Sequence, residues 1–386
     1  MIIFLSIVLT VYSLVNFYIG RRGWQAWTGA GLPGWVFLGA FLILVLAYPL
    51  GRFLERGLHA AAGGVLLQVG SFYFSVMLYG FLFVFFIDIL RVADSLLQLF
   101  PAFIRRQPAR SGAWALAGVV GAVCLITVLG YLNALRPRIR MLEIAVPKPA
   151  GVLKNLRIAM ASDIHLGTII RNSRLARIVS MINGLRPDIV LLPGDIVDES
   201  VPAEEEEKMT ATLASIRAPL GVYAVSGNHE YYGGIVKNSE YLRRGGVRVL
   251  NDEMVLVADA FTLAGRKDPT AARFGQTRKS LAEILGPADK RRPIILLDHQ
   301  PFRLEEAEAN GVDLQLSGHT HAGQLFPLNL INRGVYEQNW GYWRRGTTHY
   351  YISCGVGTWG PPVRTGSRPE IVLIEITFGS KGGQYP

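Results

Sequence analysis

The chain is poor in cysteine and in charge. It has two cysteines, Cys124 and Cys354, about 230 residues apart, so a disulfide framework and a cysteine-based metal motif are both excluded. Only 18% of its 386 residues are charged, below the roughly 25% of soluble domains. The shortage is uneven. Residues 1–149 carry 12 Lys+Arg against 4 Asp+Glu, net +8, while residues 150–386 carry 27 against 25, net +2. A nucleic-acid-binding surface would concentrate basic charge on the globular part, so no nucleic-acid partner is expected. There is no internal repeat, and no positive region precedes the first apolar run, which therefore reads as a retained span and not a cleaved signal.

What the first third does have is long apolar runs. Residues 2–18, 35–51, 63–87 and 113–131 approach or exceed the roughly 20 residues a helix needs to cross a bilayer. After Ile87 the pattern changes: Asp88, Arg91, Asp94 and Gln98 interrupt the apolar residues, as in a helix leaving the membrane or lying on it, and Pro101 is expected to end it. The expectation is a membrane domain of about four helices over residues 1–140 and a catalytic domain over residues 141–386, the chain being an integral, multi-pass protein of a bacterial inner membrane. With both ends on one side, the side shared with the catalytic half carries Arg52, Arg56, Arg136, Arg138, Arg140 and Lys148, and the opposite loops carry Arg21, Arg22, Arg105, Arg106 and Arg110. Six against five leans toward a cytoplasmic catalytic half.

From about Leu142 short apolar runs alternate with helix-like stretches, the pattern of an α/β domain. Each run is followed by residues of one chemical type. Residues 156–161 lead to Asp163 and His165, and residues 189–192 to Gly194 and Asp195. Residues 222–225 lead to Gly227, Asn228, His229 and Glu230, residues 294–297 to His299, and residues 314–316 to Gly318, His319, Thr320 and His321. In open α/β sheets, ligands bind beyond the carboxyl ends of strands, so the five clusters should converge. Asp, His and Asn offer oxygen and nitrogen donors suited to divalent Mn, Fe or Zn, and two such ions clamp a phosphate and lower the pKa of a water. A lone histidine is usually structural. Here five of the chain's seven histidines stand at strand ends, and only His59 and His349 do not.

These motifs, Ser162-Asp163-Ile164-His165, Gly194-Asp195, Gly227-Asn228-His229-Glu230, His299 and Gly318-His319-Thr320-His321, resemble the calcineurin-like metallophosphoesterase family. The resemblance implies that the α/β domain is a four-layered α/β/β/α sandwich, here expected to follow the N-terminal α-helical membrane domain that the apolar runs indicate. It implies two divalent ions, manganese foremost with iron or zinc as alternatives. Asp163, His165 and His321 would hold one, Asn228, His299 and His319 the other, with Asp195 bridging and His229 protonating the leaving oxygen. Ala322-Gly323-Gln324 and residues 353–371 resemble the YkuE/YaeI-like branch. Membrane-attached relatives of that branch include UDP-2,3-diacylglucosamine hydrolase-type and transmembrane metallophosphoesterases. Hydrolysis of a lipid-linked or nucleotide–lipid diphosphate beside the bilayer is the leading expectation. The alternatives are a phosphodiesterase on soluble nucleotides or other phosphoesters, and a catalytically silent membrane scaffold.

Four further features are weighed, the first three with two readings each. Arg364, behind Pro361 and Pro362, would bind a substrate phosphate bidentately or stand as a surface arginine. Asp268 would close the site or serve as a turn residue. The aromatic run from Phe326 to Tyr351, with Trp340 and Trp343, would form a lip at the bilayer or pack between strands. The acidic run at residues 204–207 reads as the first turn of a helix, where negative charge suits the dipole.

Overall fold

The computed structural model describes residues 2–55, 60–199 and 201–379; Arg56 and His59 lie outside them. The chain divides into two compact units, Met1–Leu132 with Gly360–Val363, and Asn133–Trp359 with Arg364–Pro386.

The first unit is helical: α1 (Ile2–Gly29), α2 (Gly34–Leu54), α3 (Ala60–Leu97), the short α4 (Ala102–Arg106) and α5 (Pro108–Ala134). Among the described residues three helices, Gly34–Leu54, Ala61–Leu97 and Pro108–Ala134, are long and apolar enough to cross a membrane. The fourth expected run falls inside α1, which is 28 residues long. α3 corrects one expectation. It runs unbroken through Asp88, Arg91 and Asp94 and ends at Leu97, before Gln98 in left-handed conformation (φ 52°), so Pro101 starts α4 and ends nothing. The helix continues because Asp88 is neutralised: Tyr18 Oη donates to it at 2.6 Å, Arg22 Nε at 2.8 Å and Arg91 Nη1 at 3.2 Å.

The second unit holds two six-stranded sheets. Its strands are β1 (Arg138–Val146), β2 (Asn155–Met160), β3 (Ile189–Pro193), β4 (Val222–Val225), β5 (Val247–Val249), β6 (Glu253–Val257), β7 (Phe261–Gly265), β8 (Ile294–Leu297), β9 (Leu314–Ser317), β10 (Gly341–Arg345), β11 (Thr348–Ile352) and β12 (Glu370–Phe378). One sheet has the order β1-β12-β2-β3-β4-β5, the other β10-β11-β9-β8-β7-β6. Their inner faces form one apolar core, with Ile158, Leu191, Val225 and Ile374 from the first against Leu263, Ile295, Leu314 and Leu316 from the second. The helices α6 (Asn172–Gly184), α7 (Ala203–Ala214), α8 (Asn228–Tyr232) and α9 (Ile235–Arg244) follow strands of the first sheet, and α6, α7 and α9 cover its outer face through Leu175, Ile178, Met209 and Leu242. α10 (Leu281–Leu285) and α11 (Glu305–Ala309) cover the second sheet through Leu281, Ile284 and Ala307. α12 (Leu328–Val335) buries none of its residues. The result is the four-layered sandwich.

The catalytic sheet begins earlier than residue 141. β1 pairs in parallel with β12 from Arg138 onward. Its arginines look like a membrane flank in the sequence, yet Arg140 Nε lies 2.7 Å from Glu370, and Lys148 Nζ lies 2.7 Å from Asp313. Arg138, Arg140 and Lys148, half of the six charges counted toward a cytoplasmic side, thus have places in this unit's own architecture.

Candidate metal centre

The five polar clusters follow the carboxyl ends of β2, β3 and β4 in one sheet and β8 and β9 in the other. The strands are mostly apolar, and the chain turns sharply where the polar clusters begin. Asp163, His165, Asp195, His319 and His321 all have positive φ, between 48° and 71°. Non-glycine residues hold that conformation at a cost of about 1–3 kcal/mol each and do so chiefly at functional sites. Glycines make the close approach: a Cβ on Gly227 would strike Asp195, and one on Gly318 would strike Ser162 and Asp163.

The expected site residues come together. Asp163, His165 and His321 offer ligand atoms within 4.8 Å of one another, as do Asp195, His299 and His319. His165 Nε2 and His321 Nε2 face each other at 3.1 Å. His319 Nδ1 lies 2.9 Å from Asn228 Oδ1. Asp195 stands between the two groups, its Oδ2 at 3.1 Å from His299 Nε2 and 3.9 Å from His165 Nε2.

The donor set fits a metal. His299 Nδ1 lies 2.7 Å from the Pro193 carbonyl, so that nitrogen carries the proton and Nε2 turns a lone pair toward the Asp195 carboxylate. Nε2 is buried without a hydrogen-bond partner. Two acceptors 3.1 Å apart in a dry site require a cation between them, and a ring N–H held by a backbone carbonyl is the usual support of a metal-ligating histidine. With no metal a proton takes that place, which is why Asp195 raises the His299 pKa although burial opposes it. Burial holds His319, at about 3, and His321 in the neutral form that a ligand needs. A third group of donors, His165, Asp195 and His229, is also close. In it His229 Nδ1 is engaged at 2.7 Å by Asp198 Oδ1.

Two functional residues had no role in the sequence reading. Asp198 is one. Burial lowers the His229 pKa, but Asp195 and Asp198 outweigh it and push it up to about 9, which favours the protonated ring. Glu230 is the other. Its buried carboxylate accepts from the backbone N–H groups of Asp195 (3.1 Å), Ile196 (2.7 Å), Val197 (2.8 Å) and Gly227 (2.7 Å). It ties the loop after β3 to the loop after β4 and so fixes Asp195 against Asn228.

Arg364 is corrected. It is 0% exposed. Its Nη2 donates to the Gly357 carbonyl at 2.7 Å and lies 3.1 Å from His321 Nδ1, and its Nη1 donates to Ser367 Oγ at 2.9 Å. Its donors are committed beneath His321, so it positions that ring and presents no fork to a phosphate. Asp268 is the turn residue: its carboxylate accepts from Thr270 N at 2.8 Å and opens a short 3₁₀ helix, Pro269–Phe274. The aromatic run is mostly strand packing. Trp340 Nε1 donates to Glu370 at 3.1 Å under the Arg140 guanidinium, and Trp343 packs on Tyr350 at 5.1 Å. The acidic run forms the first turn of α7.

The mouth of the site is apolar. Trp359 and Tyr232 sit 5.9 and 5.6 Å from the His229 ring. Tyr336 lies 6.3 Å from His319 and stacks on Phe302. α12 exposes Leu328, Leu330, Ile331 and Val335. Its polar face is tied to the ligand loop, since Asn332 Nδ2 donates to the Thr320 carbonyl at 3.2 Å.

Known proteins resemble this chain. Residues 156–323 match the model of the calcineurin-like phosphoesterase family. An uncharacterized metallophosphoesterase of Aquifex aeolicus is 35% identical over 65% of this chain and 96% of its own length. A transmembrane protein with a metallophosphoesterase domain from Danio rerio is 36% identical over 68% of this chain, and the chain spans 62% of that protein. The metallophosphoesterase YkuE of Bacillus subtilis is 28% identical over 70% of this chain and 97% of its own length. A dimetal phosphatase structure from Danio rerio aligns over 54% of this chain and 88% of its own, at 14% identity and a TM-score of 0.35. The chain belongs to the calcineurin-like metallophosphoesterase family.

Proposed function

We propose that this chain is a membrane-bound hydrolase with a dinuclear site, acting on a phosphoester or diphosphate carried by a lipid. Asp163, His165 and His321 would hold one divalent ion, Asn228, His299 and His319 the other, and Asp195 would bridge them. Two ions, manganese in the first instance, would polarise the phosphoryl group and lower the pKa of the attacking water. The chain's own residues supply the rest. Glu230 keeps the bridging carboxylate in register, Arg364 orients His321, and His229, charged and held by Asp198, gives its proton to the departing oxygen.

One observation carries the lipid over a soluble substrate: aromatic rings beside the site histidines, Trp359 and Tyr232 at His229 and Tyr336 at His319, in a unit whose α12 also exposes apolar side chains. Trp359 is 58% and Ile331 66% exposed. Exposed apolar surface of this kind marks an interaction surface and suits acyl chains. The test is purified protein with Mn²⁺, assayed on a lipid diphosphate in mixed micelles and on bis(p-nitrophenyl) phosphate. Trp359→Ala with Ile331→Asp should lower kcat/KM on the lipid about tenfold, the scale of one or two lost apolar contacts, and leave the soluble diester unchanged. Equal loss on both would defeat the lipid reading and favour a soluble phosphodiester.

A further inference from the structure

The helical unit contains a cavity of about 350 Å³. It is lined by one face each of α1, α2, α3 and α5, almost wholly with apolar atoms. On α3 the lining residues run from Tyr73 to Arg91, which at 1.5 Å per residue is about 27 Å, close to the hydrocarbon thickness of a bilayer. Small residues open it, Gly23 and Ala26 on α1 and Gly112 and Ala115 on α5.

One end is charged. Arg22 and Arg91 line the cavity and share the single carboxylate of Asp88, at 2.8 and 3.2 Å. Their side chains remain 37% and 46% exposed. Two guanidiniums against one carboxylate leave a positive surplus at the mouth. Asp88 is already saturated by these two and by Tyr18 Oη at 2.6 Å, so a further anion would meet free N–H donors of the arginines, not a competing acid.

We infer that this cavity is a binding site for an anionic amphiphile, one acyl chain in the slot and a phosphate on Arg22 and Arg91. The volume fits. Taking a methylene as similar to a water in volume, about 30 Å³, the slot holds roughly a dozen carbons. A partner helix, about 10–12 Å across, is too wide for it. Away from Arg22, Arg91 and Tyr73 the walls are apolar, which disfavours water there. The charge selects the headgroup, because arginine recognises phosphate by its planar fork. This site belongs to the helical unit, and its ligand is distinct from the substrate of the metal centre.

The test uses the full chain in nanodiscs doped with tail-diazirine phosphatidylglycerol or tail-diazirine phosphatidylcholine, with labelled peptides mapped by mass spectrometry. The expected result is labelling of the stretch from Leu116 to Cys124, stronger for phosphatidylglycerol by roughly fivefold per arginine. Val119→Trp, which fills the slot, should remove that labelling while hydrolysis of bis(p-nitrophenyl) phosphate persists, showing that the chain is folded. Arg91→Gln, a change at an exposed side chain, should bring the two lipids closer to parity without altering hydrolysis. Labelling that ignores Val119→Trp, or that is equal for the two lipids in the unaltered chain, would overturn the inference.

Discussion

The two units treat buried polar groups in opposite ways. In the helical unit they are paired off: the Tyr73 hydroxyl donates to Asn16 Oδ1, and Ser75 and Thr127 share a hydrogen bond at 3.3 Å. In the catalytic unit they are crowded together at strand ends on left-handed backbone, and several are left wanting. His299 Nε2 and His165 Nδ1 are buried without hydrogen-bond partners. A polar group that closes on its neighbour stabilises the fold. One that faces another acceptor in a dry site waits for a cation, and that contrast separates structure from chemistry more sharply than burial alone does.

The largest break in this contrast should come from Asp195. It alone stands between the two ligand groups, and His299, His229 and His165 hold its carboxyl well below the usual range against the opposing effect of burial. Asp195→Ala should lower kcat on any substrate by about 10³-fold or more, the scale of losing a principal electrostatic stabiliser. Bound manganese, counted by inductively coupled plasma spectrometry, should fall below two per chain. Full metal content with full activity would reject the bridging role.

Asp198→Asn should have a smaller and more selective effect. The carboxylate lies 2.7 Å from His229 Nδ1 and 3.7 Å from His165 Nδ1, so the change should chiefly reduce proton donation, worth about 10²-fold, with the metal content retained because the asparagine can still face the His165 ring. The loss should be greatest for an alkoxide leaving group and nearly absent for p-nitrophenolate, which needs no proton to depart. A uniform loss across leaving groups would mean that Asp198 supports the fold of the loop and not the proton.

These two aspartates also show how far the sequence reaches. Asp195 was legible because it ends an apolar run beside a glycine, and β3, β4, β8 and β9 lie where their apolar runs place them. Asp198 was not, because its partner is 31 positions on in a different loop and only the fold brings the two together. Arg364 misled for the same reason: an arginine after two prolines looks exposed, yet the turn folds it under His321. Arg138 and Arg140 misled in another way. Flanking charge and an edge strand with outward arginines read alike along the chain, and only the pairing of β1 with β12 tells them apart.

The smallest effect should be in the helical unit. Tyr73→Phe removes one interhelical hydrogen bond, and such bonds in membrane proteins average only about 0.6 kcal/mol. Asn16 Oδ1 loses this donor, while its amide nitrogen still donates to the Tyr12 carbonyl at 2.8 Å. The midpoint of detergent-induced unfolding should therefore shift slightly, and hydrolysis of a soluble diester not at all. A large loss of hydrolysis from this one hydroxyl would mean that the paired polar groups of the helices feed the metal centre, and the separation drawn between the two units would fail there.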